Sequence, residues 1–554
     1  MTNLDPGLCE IVRRFCLVGA CWGLQIAGSI AAANPISDEN RNPGDDGWRE
    51  IVNIRFGANY DSVGYIKGYA SATSVNKGNA ITLYVSVNNP GDPSYSISIY
   101  RLGFYQGRGG RLMTRFPSSG YAAGAQQTPC SVDKGPPNGD GMVQCRWAPT
   151  YALAVPSTWT SGIYVAKLKL KNPPKDVPGY NYVVFVVRDD SRAPDIVYQQ
   201  PVATYQAYNQ YGGTSLYLCK LVDTCTQGRP AYKESFDRPY AEDGLSSLKS
   251  WEQPFIFWLE REGYDVAYTT DIDTHSNGDR LLRSKIFLTA GHGEYWSKQM
   301  YDAVQNARDR GVHLAFLGGN TLFWQARFEK SAATSEPNRV ITVYRSREAD
   351  PIADPALKTV NWRNLGRPEQ SLLGLQWANG NPYTSSKDSL PWVVADASHW
   401  IYAGSGVVDK ESILTNDGVD GIIGQEWDTV YADRNGSVPD YVGRPGTSPP
   451  GYTAAMPPYL TFDVIEHSSL QPSQVAYAPP AYHYPLTTDA VVYQSLSGAY
   501  VFSAGSVMWG TLGQRSTVMQ TVAGNVLNKM LVTKPQRLDI AVVNAINDIL
   551  LLSD

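Results

Sequence analysis

Residues 285–320 read KIFLTAGHGEYWSKQMYDAVQNARDRGVHLAFLGGN, and this stretch decides the fold. Lys285 to Thr289 is a short apolar run of the kind that a strand buried on both faces presents. A loop with Gly291, His292, Gly293 and Glu294 follows, and Ser297 stands where a helix N-cap belongs. Met300, Val304 and Ala307 recur at i, i+4 and i+7, one core-facing stripe of a helix that Gly311 ends. Val312 to Leu317 returns as a second buried strand before Gly318, Gly319 and Asn320. Strand, crossover helix and strand of this size form a right-handed parallel unit. In an open α/β sheet, polar groups act just past the carboxyl ends of the strands. His292, Glu294 and Asn320 each stand at such an end, so the chemistry is expected on that edge.

Working outward, Ile196 to Tyr198 reads as a neighbouring strand, and TYQAYNQYGGTSLY follows it. That loop places Tyr205, Tyr208 and Tyr211 beside Asn209, and a second tyrosine-bearing loop, SFDRPY, ends at Tyr240. Pro254 opens a helix whose apolar side is Phe255, Trp258 and Leu259, and Asp265 to Tyr268 is the next strand. Downstream, Gly421 to Ile423 reads as a strand leading into Gln425, Glu426, Trp427 and Asp428. Residues 430–485 are proline-rich and read as a long loop. Val491–Tyr493 and Ala499–Ser503 are late strands, and Val518–Met530 is a final packing helix.

Residues 48–190 have a different texture. Ile81, Leu83, Val85 and Val87 alternate with polar residues, as do Tyr95, Ile97 and Ile99 after the turn signal NNPGDPS, and the two runs predict a hairpin. With further strands at Ile163–Leu170 and Tyr182–Val187, the region reads as an Ig-like β-sandwich. YRLGFYQGRGGRLM lacks the Gly-Lys-Ser/Thr ending of a phosphate loop and reads as a solvent-facing turn. Asp189–Pro194 marks the boundary between a segment 34–190 and a segment 191–554.

The start of the chain has its own character. Arg13 and Arg14 precede the apolar stretch FCLVGACWGLQIAGSI, and Ala31 to Ala33 supply small residues, the order of a secretory signal peptide spanning 1–33. The protein is therefore expected to be secreted or periplasmic. Of seven cysteines, the segment removes Cys9, Cys16 and Cys21; Cys130 with Cys145 and Cys219 with Cys225 are the simplest pairs among the rest. A net charge of −5 gives no footprint for nucleic acid, and no apolar run after residue 33 is long enough to cross a membrane.

Tyrosines gathered near a carboxylate fit a hard, oxygen-rich site for a trivalent cation, which can deprotonate a phenol that is a poor ligand at its free pKa of about 10. The chain holds 35 tyrosines, however, and ordinary packing accounts for most of them. Glu294 and Glu426 also permit a second reading, the paired carboxylates of a glycan-active protein, and a non-catalytic surface adhesin is a third. Standard zinc and serine-hydrolase signatures are absent from the sequence.

The ordered series AYN-x-YGG, SFDRPY, LEREGYDV, HGEYWS, LGGN-x-x-FWQ-x-RFE and GQEWD resembles the C-terminal domain family of the N,N-dimethylformamidase large (beta) subunit, over roughly residues 190–530. The resemblance implies a glutamine-amidotransferase-like α/β domain with one Fe3+ per chain, held by two tyrosines and a glutamate, that hydrolyses a small linear amide. Carried onto this sequence, the metal ligands are Glu294, Tyr208 and Tyr240, with Tyr211 in reserve. His292 is a near-site group, Asn320 positions substrate or its oxyanion, and Glu426 is the general base or proton shuttle. This chain has His-Gly-Glu where the amidase has His-Pro-Glu. The amidase also works with a small accessory subunit; here the need for one, like homo-oligomer formation, stays open.

Overall fold

The computed structural model describes residues 34–50, 65–136, 138–175, 177–218, 230–380, 389–430, 462–469 and 487–535. The expected signal segment, Cys219 with Cys225, and most of 430–485 lie outside the described residues. The architecture is mixed, with many β-sheets and some helices.

Two sheets face each other in the first part of the chain. One joins β1 (Ile66–Ala70), β3 (Ala80–Val87) and β6 (Tyr151–Ala154). The other runs β2 (Ser74–Asn76), β8 (Tyr180–Arg188), β7 (Gly162–Leu170), β4 (Ser94–Leu102) and β5 (Gly110–Phe116). Alternate residues of both sheets, among them Ile81, Leu83, Ile97 and Leu168, pack in one apolar core. The expected hairpin between β3 and β4 does not form. β3 pairs with β1 and β6, whereas β4 pairs with β7 and β5. The turn carries the chain from one sheet to the facing one, so both period-two patterns point at the same core without sharing hydrogen bonds. Cys130 and Cys145 are joined by a disulfide, as their spacing led us to expect.

The glycine-rich stretch after β4 is not a simple surface turn. Gln106 to Arg108 at its tip are exposed, but Arg101 and Tyr105 are fully buried. The Arg101 guanidinium donates to both carboxylate oxygens of Glu260, at 2.8 and 3.0 Å, because a buried cation needs a paired anion.

The second part is built on a seven-stranded sheet. Its order is β10 (Val266–Thr270), β9 (Ile196–Gln200), β11 (Ile286–His292), β12 (His313–Gly319), β17 (Tyr500–Ser503), β16 (Thr487–Gln494) and β15 (Phe462–Ser469). The first five run parallel, β16 pairs antiparallel with β17, and β15 pairs antiparallel with β16. Among its helices are α1 (Val202–Tyr208), α2 (Gln253–Arg261), α3 (Asp271–Ser276), α4 (Lys298–Asp309) and α5 (Thr517–Val532). The unit β11–α4–β12 forms as its sequence predicts. The Ser297 hydroxyl accepts from the Met300 N–H, and Met300, Val304 and Ala307 are buried.

Two expectations change. Gly421–Ile423 contributes only an isolated bridge between Ile423 and Leu390. The strand is β14 (Glu426–Thr429), paired with β13 (Gln376–Gly380). Gly421 has no room for a Cβ against the Leu390 carbonyl, so the chain passes too close there to carry a full ladder. Within the region read as a long loop, Phe462–Ser469 is the edge strand β15.

Candidate active site

Strand order places the site. From β9 the chain goes to β10 on one side, then to β11 on the other, so the loops after β9 and β11 diverge and leave a crevice at their carboxyl ends. Tyr208 ends α1, which follows β9; Glu294 follows β11; Asn320 follows β12. Glu426 is brought in from the side by β14, docked where Val507 N–H donates to its carbonyl at 3.0 Å.

Close backbone approach makes this edge possible. Gly291 has φ +76°, and a Cβ there would stand 2.7 Å from that of Trp251; one on Gly318 would meet the Gly291 carbonyl oxygen at 2.0 Å. Asn320 (φ 45°), Leu322 (φ 63°) and Gln425 (φ 61°) are non-glycine residues held in the left-handed region around the same edge, where such strain commonly marks a working site.

Glu294 is the centre of the cluster and is 2% exposed. Its backbone N–H donates to the Thr204 hydroxyl of α1 at 2.9 Å. Tyr208 donates its O–H to Glu294 Oε2 at 2.9 Å, and Tyr217 donates to Oε1. The two phenol rings stack with centroids 4.4 Å apart. Tyr217 is 40% exposed as a residue, yet its hydroxyl turns inward. Behind it, Tyr295 donates to the Tyr217 oxygen at 2.7 Å and accepts from Arg345 Nη2 at 2.6 Å. The Arg345 guanidinium lies 4.3 Å from the Tyr217 ring centroid. Burial, then the Glu294 charge, holds both phenols well above their ordinary pKa, so each keeps its proton here.

On the other side, His292 Nε2 is 3.5 Å from Glu294 Oε2, 3.9 Å from Glu426 Oε2 and 3.3 Å from Asn320 Nδ2. Burial pushes the His292 pKa down to about 3, leaving a neutral imidazole, and its Nδ1 has no hydrogen-bond partner. Asn320 Nδ2 also donates to Glu426 Oε2, which takes a second bond from Trp377 Nε1 at 2.9 Å. The Asn320 N–H donates to Asp428 at 2.8 Å. Burial, and for Glu426 the nearby Glu294 charge, raises the pKa of both glutamates. Glu426 keeps 23% of its side-chain surface exposed, so of the two carboxylates it is the one that meets solvent.

Tyr208, Glu294, His292, Asn320 and Glu426 are thus brought together. Tyr240 stands beside them, packed with Tyr205 and Trp251, and the charges that act on its phenol are those of Asp271, Arg238 and Arg339. Tyr211 packs against the group of Tyr69, Trp147 and the disulfide. Sequence reading passed over Tyr217, although it closes the quoted loop TYQAYNQYGGTSLY, and over Tyr295, which follows Glu294 directly. Arg345 lies between elements and Trp377 in β13, and neither carries a local signal in the sequence.

Among the described residues no group of three or more His, Cys, Asp or Glu side chains is arranged to hold a metal. A set built from phenols is a different case. Tyr208, Tyr217 and Glu294 converge as hard oxygen donors, and two phenolates with one carboxylate would balance a trivalent charge.

Residues 96–514, more than half of the chain, match the family described as N,N-dimethylformamidase beta subunit-like, C-terminal. The chain belongs to that family. The match begins within β4, so the N,N-dimethylformamidase beta subunit-like family takes in part of the first segment as well as the seven-stranded sheet. At the level of the family, this membership implies a hydrolase acting on amides. No curated protein matches the chain.

Proposed function

We propose that the protein is an exported amide hydrolase that uses one iron ion, and that its second segment is a glutamine-amidotransferase-like domain behind an Ig-like sandwich. The observation that carries this reading is the convergence of the Tyr208 and Tyr217 hydroxyls on the two oxygens of Glu294, beside Glu426, His292 and Asn320. Tyr208, Tyr217 and Glu294 would hold the iron, with Tyr240 beside the set rather than in it. When bound, the iron supplies Lewis acidity toward an amide carbonyl.

The chain's own residues supply the rest. Glu426, partly exposed and raised in pKa, takes a proton from water and returns it to the departing amine. Neutral His292 lies between the two carboxylates without adding charge and takes a hydrogen bond from Asn320. Asn320 is the donor nearest a developing oxyanion, but both its N–H groups face Glu426 and His292. It therefore serves an oxyanion only after releasing one of them, which protonation of Glu426 would favour. The Cys130–Cys145 bridge supports an oxidising compartment.

The deciding experiment compares iron content and the visible tyrosinate band in wild type and in Tyr208→Phe, Tyr217→Phe and Tyr240→Phe. The proposal expects near-stoichiometric iron, a band weakened in the first two variants and intact in the third, and turnover of small amides. Protein that stays colourless and iron-free after reconstitution would overturn it.

A further inference from the structure

A chamber of about 410 Å³ lies against the cluster. It shares a wall with the site. Tyr208, one of its lining residues, donates to Glu294. Trp251, another, packs edge-on against His292 at 5.2 Å between ring centroids and donates to Gln425 at 2.8 Å. The chamber is far larger than a formyl group and two methyl groups require, and falls in the range of about 300–1,000 Å³ that encloses drug-sized ligands.

Its lining states the chemistry of the occupant. Tyr205, Tyr208, Tyr240 and Trp251 give it aromatic walls. Among the described lining residues the only ionisable group besides the phenols is the carboxyl of Glu242, and no basic side chain is part of the lining. An anionic substituent would thus be buried without a cation, at a cost a binding site avoids. The remaining polar lining of the chamber is neutral, from side chains such as Gln200, Asn209 and Ser247. The chamber is also held in shape from the first segment. Thr73 and Val184 line it, and Lys67 Nζ donates to the carbonyls of Tyr240, Ala241 and Glu242 at 3.0, 2.5 and 2.9 Å.

We propose that this chamber receives the larger substituent of the amide substrate, an uncharged aromatic group. The proposal rests on the amidase reading for the position of the amide, which sits at the wall formed by Tyr208 and Trp251.

Binding separates the two ideas, because it can be measured without turnover. In the Glu294→Gln full-length protein, titration calorimetry compares 2-(4-hydroxyphenyl)acetamide, 2-phenylacetamide, acetamide and 4-hydroxyphenylacetate. The expected result is at least tenfold tighter binding of the hydroxylated aryl amide than of acetamide, with the carboxylate at least tenfold weaker than its amide. Ser247→Trp, which fills the chamber from its rim, should abolish the preference for the aryl group. Equal affinity for acetamide and the aryl amides overturns the proposal, and so does aryl binding that Ser247→Trp leaves unchanged. If wild-type protein hydrolyses small amides while the aryl preference is missing, the chamber proposal alone falls. If the preference is present and no amide is hydrolysed, the amidase reading falls and the aromatic site stands.

Discussion

At the scale of single residues, the site depends on which groups share Glu294. Its two oxygens are taken by two phenols, and Glu426 is tied to Asn320 and Trp377, so the two carboxylates have separate supports within one cluster. That separation predicts separable losses. Glu426→Gln keeps the acceptor for Trp377 but cannot take a proton, so amide turnover should fall by about 10²–10⁴ while iron content holds. Tyr217→Phe should lose iron and turnover together. Parallel metal analysis and kinetics on the two variants test this, and equal iron loss in both would remove Glu426 from the role of proton carrier. Glu294 and Asn320 were legible in the sequence because each stands one or two residues past a clear strand. Tyr217 was not. It lies beyond two glycines in a loop, and only the fold shows that this loop turns back over Glu294.

At the scale of elements, β11–α4–β12 is the part of the fold that local sequence determines most fully, since capping, the apolar stripe and the terminating glycine all agree. Ser297 caps α4 and also meets His275 Nδ1 at 2.8 Å. Ser297→Ala should cost about 1 kcal/mol in a denaturant titration, the usual effect of losing such a cap. The β3–β4 pair shows where local pattern stops. Period two fixes which side chains face a core, but two facing sheets and one hairpin satisfy it equally, and the choice is made by partners distant in sequence. A second element-scale effect lies at the start of α2. Glu252 there is fully buried, accepts from the Tyr198 hydroxyl at 2.6 Å, and has its pKa pushed up from 4.5 to about 8 by burial. Between those values the folded state holds a proton that the unfolded chain releases, so this residue's contribution to stability declines as pH rises and levels off above about 8. Glu252→Gln, which keeps the acceptor, should therefore gain in melting temperature over wild type progressively across that window. A constant offset between the two proteins would place the effect elsewhere.

At the scale of the whole molecule, the question is whether the first segment is an independent module or part of the site's frame. The packing argues for a frame. One apolar core includes Trp48, Tyr100, Ile163 and Tyr182 from the first segment with Tyr198, Phe255, Ile286 and Leu317 from the second. Through it runs the ion pair of Arg101 and Glu260, both without exposure, with Tyr268 and Asn40 donating to the same carboxylate at 2.8 and 2.9 Å. A buried pair of this kind is worth little against an apolar substitute, but breaking it by removing one partner strands a charge and costs about 3–5 kcal/mol. Arg101→Met should therefore lower the melting temperature sharply, and Arg101→Met with Glu260→Gln should recover much of the loss, because the stranded charge is gone. Calorimetry on the wild type should show a single unfolding transition, since the segments have no separate cores at their junction. Two resolved transitions, with only the first moved by Arg101→Met, would make the first segment an independent module. It would then no longer follow that Lys67, Thr73 and Val184 hold the aromatic chamber in place beside the carboxylates.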